Sequence, residues 1–156
     1  MAFKLSTRSK GRLNGVHPLM KNTVERAITL TRVDFGVTEG LRSLSRQRQM
    51  IEQGRSRTMK SYHLPQDDGY GHAVDLVAYI DGEICWDLAL YDDIADAMKQ
   101  AAKEYDAPIR WGAAWHINDI TEWNGTMEEA MNSYIDLRRS QGRRPFIDGP
   151  HFELRI

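Results

Sequence analysis

Cysteine is almost absent from this chain. The single Cys85 leaves no internal disulfide framework and no thiolate-rich zinc site. Any metal must therefore be held by His, Asp and Glu. An excess of one charge is missing too: 21 Lys and Arg against 22 Asp and Glu leave a net charge of −1. A dedicated nucleic-acid binder carries a clear basic excess. The Arg-rich stretches (Arg46, Arg48, Arg55, Arg57; Arg138, Arg139, Arg143, Arg144) therefore read as solvated faces, and no nucleic-acid partner is expected. No apolar run approaches the roughly 18 residues of a membrane span, so no stable membrane insertion is expected. The first ten residues lack the apolar stretch of a secretory signal, which places the chain in the cytoplasm unless something else releases it. Long repeats, heptads and low-complexity tracts are also missing. What is present is ordinary for a globular protein: 156 residues, 41% hydrophobic and 28% charged. That is enough for one core without staples, and a single domain over 1–156 is expected.

Residues 1–15 are polar and read as a solvated arm. Pro18 suits a first helical turn, and Leu19, Thr23, Ala27 and Leu30 repeat at helical spacing, which predicts a helix over 18–31. Residues 35–38 read as a short strand followed by Gly40, and a Ser-capped polar helix is expected over 44–53. Residues 55–72 have no periodicity and read as a long loop, a feature that is usually functional or disordered. Ala73–Ile80 is the strongest strand candidate, and Asp81-Gly82 turns it back into Glu83–Trp86. A long helix over 88–105, a strand over 109–111 and an aromatic loop over 113–125 follow. Thr126 with Glu129 forms a capping box for a helix to 139. Residues 152–156 alternate as a terminal strand. This order predicts an α+β fold with a small antiparallel sheet backed by helices.

Five histidines are present, and two stand in suggestive company. Ser61-Tyr62-His63 precedes Gly71-His72-Ala73-Val74-Asp75, and Asp148-Gly149-Pro150-His151 leads into Phe152-Glu153-Leu154. A catalytic zinc takes three protein ligands and keeps one position open, while a general base lies beside the water but off the metal. His63, Asp75 and His151 offer the ligands and Asp148 the base; the bland reading makes them surface loop and turn residues. Glu153 shares the strand face of His151 and is placed to orient it. His116, in an aromatic loop, is a candidate for lining the cleft. Of Trp111, Trp115 and Trp123, at least one belongs to the core and the others are candidates for stacking on sugars. His17 reads as a helix-entry residue, and Cys85 as a buried small hydrophobe.

In this order, Ser61-x-His63, Gly71-x-Ala73-x-Asp75 and Asp148-x-x-His151 resemble the signature of the zinc D-Ala-D-Ala carboxypeptidase and L-alanyl-D-glutamate endopeptidase family, and its small phage endolysins above all. Gly40-Leu41-Arg42-Ser43 resembles the family's Gly-Ile-Arg-Thr segment, and Gln47 resembles the opening of its second helix. The resemblance covers residues 16–156. It implies one peptidase domain with zinc in a cleft on the sheet, held by His63, Asp75 and His151. It also implies Asp148 as general base and acid, and Arg42 on a substrate carboxylate or the oxyanion. Gln47 and His116 are expected to contact substrate. The implied partner is bacterial peptidoglycan, met by a monomer that waits in the host cytoplasm and then acts on the wall. The alternatives are a D-Ala-D-Ala carboxypeptidase or dipeptidase on the same scaffold, or a zinc-free wall-binding module.

The chain departs from the family pattern at Leu64–Tyr70, which lengthens the stretch between His63 and Gly71. His72 is thereby a rival first ligand. Strand side chains three apart point to opposite faces, so His72 and Asp75 should diverge and His63 keeps the role. The insertion itself, with Asp67, Asp68 and Gly69, reads as a solvated turn that leaves His63 on a mobile tether; calcium binding or gating is the sharper alternative.

Overall fold

The computed structural model describes residues 2–156. Five strands form one sheet: β1 (Asp34–Glu39), β2 (Ala73–Ile80), β3 (Glu83–Cys85), β4 (Ile109–Trp111) and β5 (His151–Leu154). The order is β1-β2-β5-β4, every pairing is antiparallel, and β3 joins the far end of β2. The helices are α1 (Thr7–Arg12), α2 (Pro18–Leu30), α3 (Leu44–Glu52), α4 (Leu88–Tyr105) and α5 (Met127–Ser140), with a 3-10 turn at Ile120–Glu122.

Alternation along the strands sorts the two faces. Val74, Leu76 and Ala78 of β2 and Phe152 and Leu154 of β5 are buried in the core with Phe35, Val37, Ile109 and Trp111. Buried residues of α2 and α4, among them Met20, Val24, Ile94 and Met98, belong to the same core. The opposite face of β2 and β5 carries Asp75, His151 and Glu153. Asp75 pairs across the ladder with His151 on one side and Glu39 on the other. The register of β1 slips between Val37 and Glu39. That bulge turns Glu39 onto the polar face, where an uninterrupted strand would have put Thr38.

Local chemistry explains the element ends. Asp81 and Gly82 both take positive φ, 51° and 80°, as the tight hairpin turn requires. The capping box of α5 forms as the sequence predicts, with Thr126 and Glu129 satisfying each other's backbone N–H. Gln141 caps the end of α5, and the last strand closes at Leu154, short of the expected 156. Trp86 falls outside β3 and is exposed, while Cys85 is half-buried.

Residues 2–15 are not a solvated arm; Met1 lies outside the described residues. Leu5, Ser9 and Leu13 are buried, and α1 packs on β1, an edge strand. Ser9 Oγ accepts from Val37 N at 3.0 Å and Arg12 Nη1 donates to Val37 O at 2.9 Å. Polar side chains thus cover the open edge beside the bulge. Gly40 is required next to this contact, because a Cβ there would lie 2.0 Å from Arg12 O.

Candidate metal centre

The three predicted ligands converge. His63 Nε2 lies 3.3 Å from Asp75 Oδ1, and His151 Nδ1 lies 3.2 Å from the same oxygen. One ligand atom from each residue falls within 4.8 Å of the other two. Each imidazole is oriented from behind. His63 Nδ1 is 2.9 Å from Gly40 O, and a carbonyl only accepts, so Nδ1 carries the proton and Nε2 is left for a metal. His151 Nε2 donates to Glu153 Oε1 at 2.9 Å, leaving Nδ1 facing Asp75. Such partners fix tautomer and ring orientation. Glu153 in turn accepts from Arg155 Nη1 at 3.2 Å, and Arg155 donates to the Tyr62 hydroxyl at 2.6 Å. Arg155 and Tyr62 were not singled out from the sequence. The available signal was position: Arg155 shares the strand face of Glu153, and Tyr62 adjoins His63.

Electrostatics follow from this closeness. Burial opposes ionisation of Asp75, but hydrogen bonds from His151 and His63 overcome it and hold the carboxylate well below its ordinary range. Burial disfavours a charged His151, yet Asp75 and Glu153 raise it to about 9 in the metal-free site. Asp148 is raised by burial and then by the charge of Asp75. A tight turn holds it in place: Asp148 N donates to Gly112 O at 2.8 Å and Gly112 N to His151 O at 2.8 Å. A Cβ on Gly112 would come within 2.2 Å of Asp148 O, so only glycine admits this turn.

The opposite wall is built from α3 and the segment after it. Arg42 is 7% exposed and donates through Nε to Glu39 at 2.7 Å and through Nη1 to Gln47 Oε1 at 2.8 Å. Gln47 is fully buried, and its Nε2 donates to Ser56 Oγ at 2.9 Å and Thr58 O at 2.6 Å. Both ends of the amide are used within the protein, so Gln47 positions Arg42 where direct substrate contact was expected. Arg42, Gln47, His63, Asp75, Asp148 and His151 line one cleft of about 260 Å³. A larger hollow of about 520 Å³ adjoins it and shares Lys60 and Ser61.

His116 is not brought into this cleft. Its ring hydrogen-bonds Ser133 of α5 at 3.1 Å and tilts against Tyr134 and Trp123. Trp111 is the core tryptophan, with Nε1 on Gly149 O at 2.7 Å. Trp115 instead packs 5.6 Å from the His151 ring and stacks on exposed Phe146. His72 points away from the metal-ligating group, as strand parity predicts, and meets Asp68 at 2.7 Å. The Asp68 carboxylate also accepts from Tyr70 N at 3.0 Å and lies 3.8 Å from His17. The turn at 64–70 is therefore pinned to His72 and to the start of α2. His17, the expected helix-entry residue, caps α2 by accepting from Leu19 N. In a second acidic group, Asp92, Asp93 and Asp96 on α4, two members serve the fold: Asp96 caps α5 at Met127 N and Asp93 faces Arg32.

Two oriented imidazoles and a carboxylate at the floor of a cleft, beside a carboxyl of raised pKa, form a donor set that could hold a metal ion next to a candidate general base, the arrangement of a hydrolase. The family described as phage L-alanyl-D-glutamate peptidase matches residues 1–155, and this chain belongs to that family. It is 33% identical over 158 residues to the L-alanyl-D-glutamate peptidase of Escherichia phage T5, covering 99% of both chains. Its fold is similar to the L-Ala D-Glu endopeptidase ChiX of Serratia marcescens, with a TM-score of 0.69 and 34% identity over 99% of this chain and 91% of that one.

Proposed function

We propose that the chain is a zinc-dependent endolysin that hydrolyses the L-alanyl-D-glutamate bond of peptidoglycan stem peptides, acting as a monomer with residues 1–156 as one catalytic domain. The observation that carries this reading is the convergence of His63 Nε2, Asp75 Oδ1 and His151 Nδ1 in the cleft that also holds Asp148. The donor set fits zinc: two imidazole nitrogens and one carboxylate suit that ion, whereas calcium and magnesium prefer oxygen alone. When bound, zinc polarises the scissile carbonyl and brings the pKa of water at the site toward neutrality.

The protein's own groups do the rest. His63, Asp75 and His151 would hold the ion in the cleft that they line with Asp148. Asp148 accepts a proton from the attacking water at its carboxylate and delivers it to the departing amine of D-glutamate. Its raised pKa suits both halves of that transfer. Arg42 uses Nε on Glu39 and one N–H of Nη1 on Gln47, and the remaining N–H groups of its guanidinium serve the carbonyl oxygen or a substrate carboxylate. Glu39 and Gln47 keep the guanidinium still. No helix among the described residues is long and apolar enough to cross a membrane; the protein waits in the host cytoplasm and acts on the wall after release.

Mass spectrometry of digested peptidoglycan tests the reading. Fragments with a new N-terminal D-glutamate are expected. Released D-alanine would instead identify a carboxypeptidase on the same scaffold.

A further inference from the structure

Arg42 and its neighbours do not account for all the positive charge in the cleft. Arg42 is paired with Glu39 at 2.7 Å. Arg55 and Lys60 line the same cleft, and among the described residues no carboxylate lies within ion-pair distance of either. Both are exposed, and they sit on a segment fixed to the site. Gln47 donates to Ser56 Oγ and Thr58 O. Arg55 N and Ser56 N both donate to Met50 O at the end of α3, at 2.7 and 3.1 Å. Lys60 N donates to Thr58 Oγ1 at 2.9 Å. Two cations thus line the cleft that also holds Asp148 and His151, and among the described residues neither has a carboxylate within ion-pair distance.

The substrate of the proposed reaction brings that anion. Glutamate acylated on its amine has two carboxyl groups, and at most one of them continues the peptide. The other remains a free carboxylate unless it is amidated. We infer that Arg55 and Lys60 form the subsite for this free carboxylate and make the enzyme select acidic over amidated D-glutamate. The inference rests on the proposed reaction and names the group that specifies its substrate. Arg55 supplies a planar fork that matches a carboxylate, and Lys60 a point charge beside it. Lys60 also borders the adjoining hollow with Met59, Tyr62, Leu64 and Pro65, so the chain beyond the glutamate has an apolar place to continue.

The test compares two soluble peptides that differ only at this group: an L-alanyl-D-glutamate stem peptide with the carboxylate free, and the same peptide with a primary amide there. The wild type should cleave the acid with a kcat/KM about tenfold or more higher, the scale of a hydrogen bond to a charged group. Raised salt should shrink the preference, because both cations are exposed. Arg55→Ala with Lys60→Ala should bring the ratio close to one, and Arg55→Glu with Lys60→Glu should invert it. Lys60→Arg should keep it. Equal cleavage of both peptides by the wild type, or an undiminished preference in the double alanine variant, would overturn the inference alone. Cleavage of neither peptide at the alanyl–glutamyl bond would overturn the proposed reaction and the inference with it.

Discussion

The proposed metal-ligating group draws on two unlike regions. Asp75 and His151 come from adjacent strands and face each other across the β2–β5 ladder. His63 comes from a stretch without regular structure between α3 and β2. Ligands on strands are ordinarily held more accurately than ligands on loops, yet here the loop histidine is the most enclosed of the three. Its side chain is 3% exposed, against 12% for His151 and 25% for Asp75. The reason is a set of cross-links that stand in for a ladder. His63 O accepts from Arg42 N at 2.7 Å, His63 Nδ1 donates to Gly40 O at 2.9 Å, and His72 N donates to Tyr62 O at 2.7 Å. The expected mobile tether is therefore a fixed arm, and the turn at 64–70 beyond it is anchored through Asp68.

The largest effect that bears on this comparison is metal removal. A chelator should reduce wall lysis to background and added zinc should restore it, provided all three ligands act together; lysis that persists in metal-free protein would refute it. Next comes Asp148→Asn, which should keep the metal and lower kcat by about 10²- to 10⁴-fold, the scale of a general acid and base. Metal analysis alongside the rate separates that role from a fourth ligand.

The strand side has its own weak point in the proton on His151. With a metal-free value of about 9, above the ordinary ~6.5, His151 stabilises the apo fold fully below about pH 6.5 and loses that contribution as pH rises through 9. Asp75 is shifted the other way, so its contribution is present above about pH 4 and fades in acid. A metal bound at His151 Nδ1 would have to displace the His151 proton. Zinc affinity should thus climb between about pH 6.5 and 9, by close to tenfold per unit, as calorimetry can follow. A flat profile would mean that His151 is already neutral. Glu153→Gln should weaken zinc about 10- to 100-fold through loss of the negative charge that orients and polarises His151, measured by competition with a chelator.

The smallest effect belongs to the turn at 64–70. Asp68→Asn should cost about 1 kcal/mol of stability, the worth of one hydrogen bond, and leave zinc affinity unchanged. A change in zinc affinity would make the turn part of the site.

The sequence was legible where a single local rule decides. The alternation of β2, the Asp81-Gly82 turn, the capping box at Thr126 and the parity that separates His72 from Asp75 all follow from neighbours in the chain. It was illegible where a distant group decides. Residues 7–12 look like a polar tail because their burial depends on Ser9 and Arg12 finding the edge of β1. The bulge that brings Glu39 to Arg42 has no signature of its own. Gln47 carries a family position but not its role, which appears only when Ser56 and Thr58 fold back over it. His116 sits among the right residue types, and α5 draws it aside.

The most direct test of a loop ligand equal to its strand partners is the zinc content of purified His63→Ala, set against His72→Ala and the wild type. One zinc per chain is expected in the wild type and in His72→Ala, and none in His63→Ala. Zinc retained in His63→Ala but lost in His72→Ala would contradict the assignment and move the first ligand across the turn at 64–70.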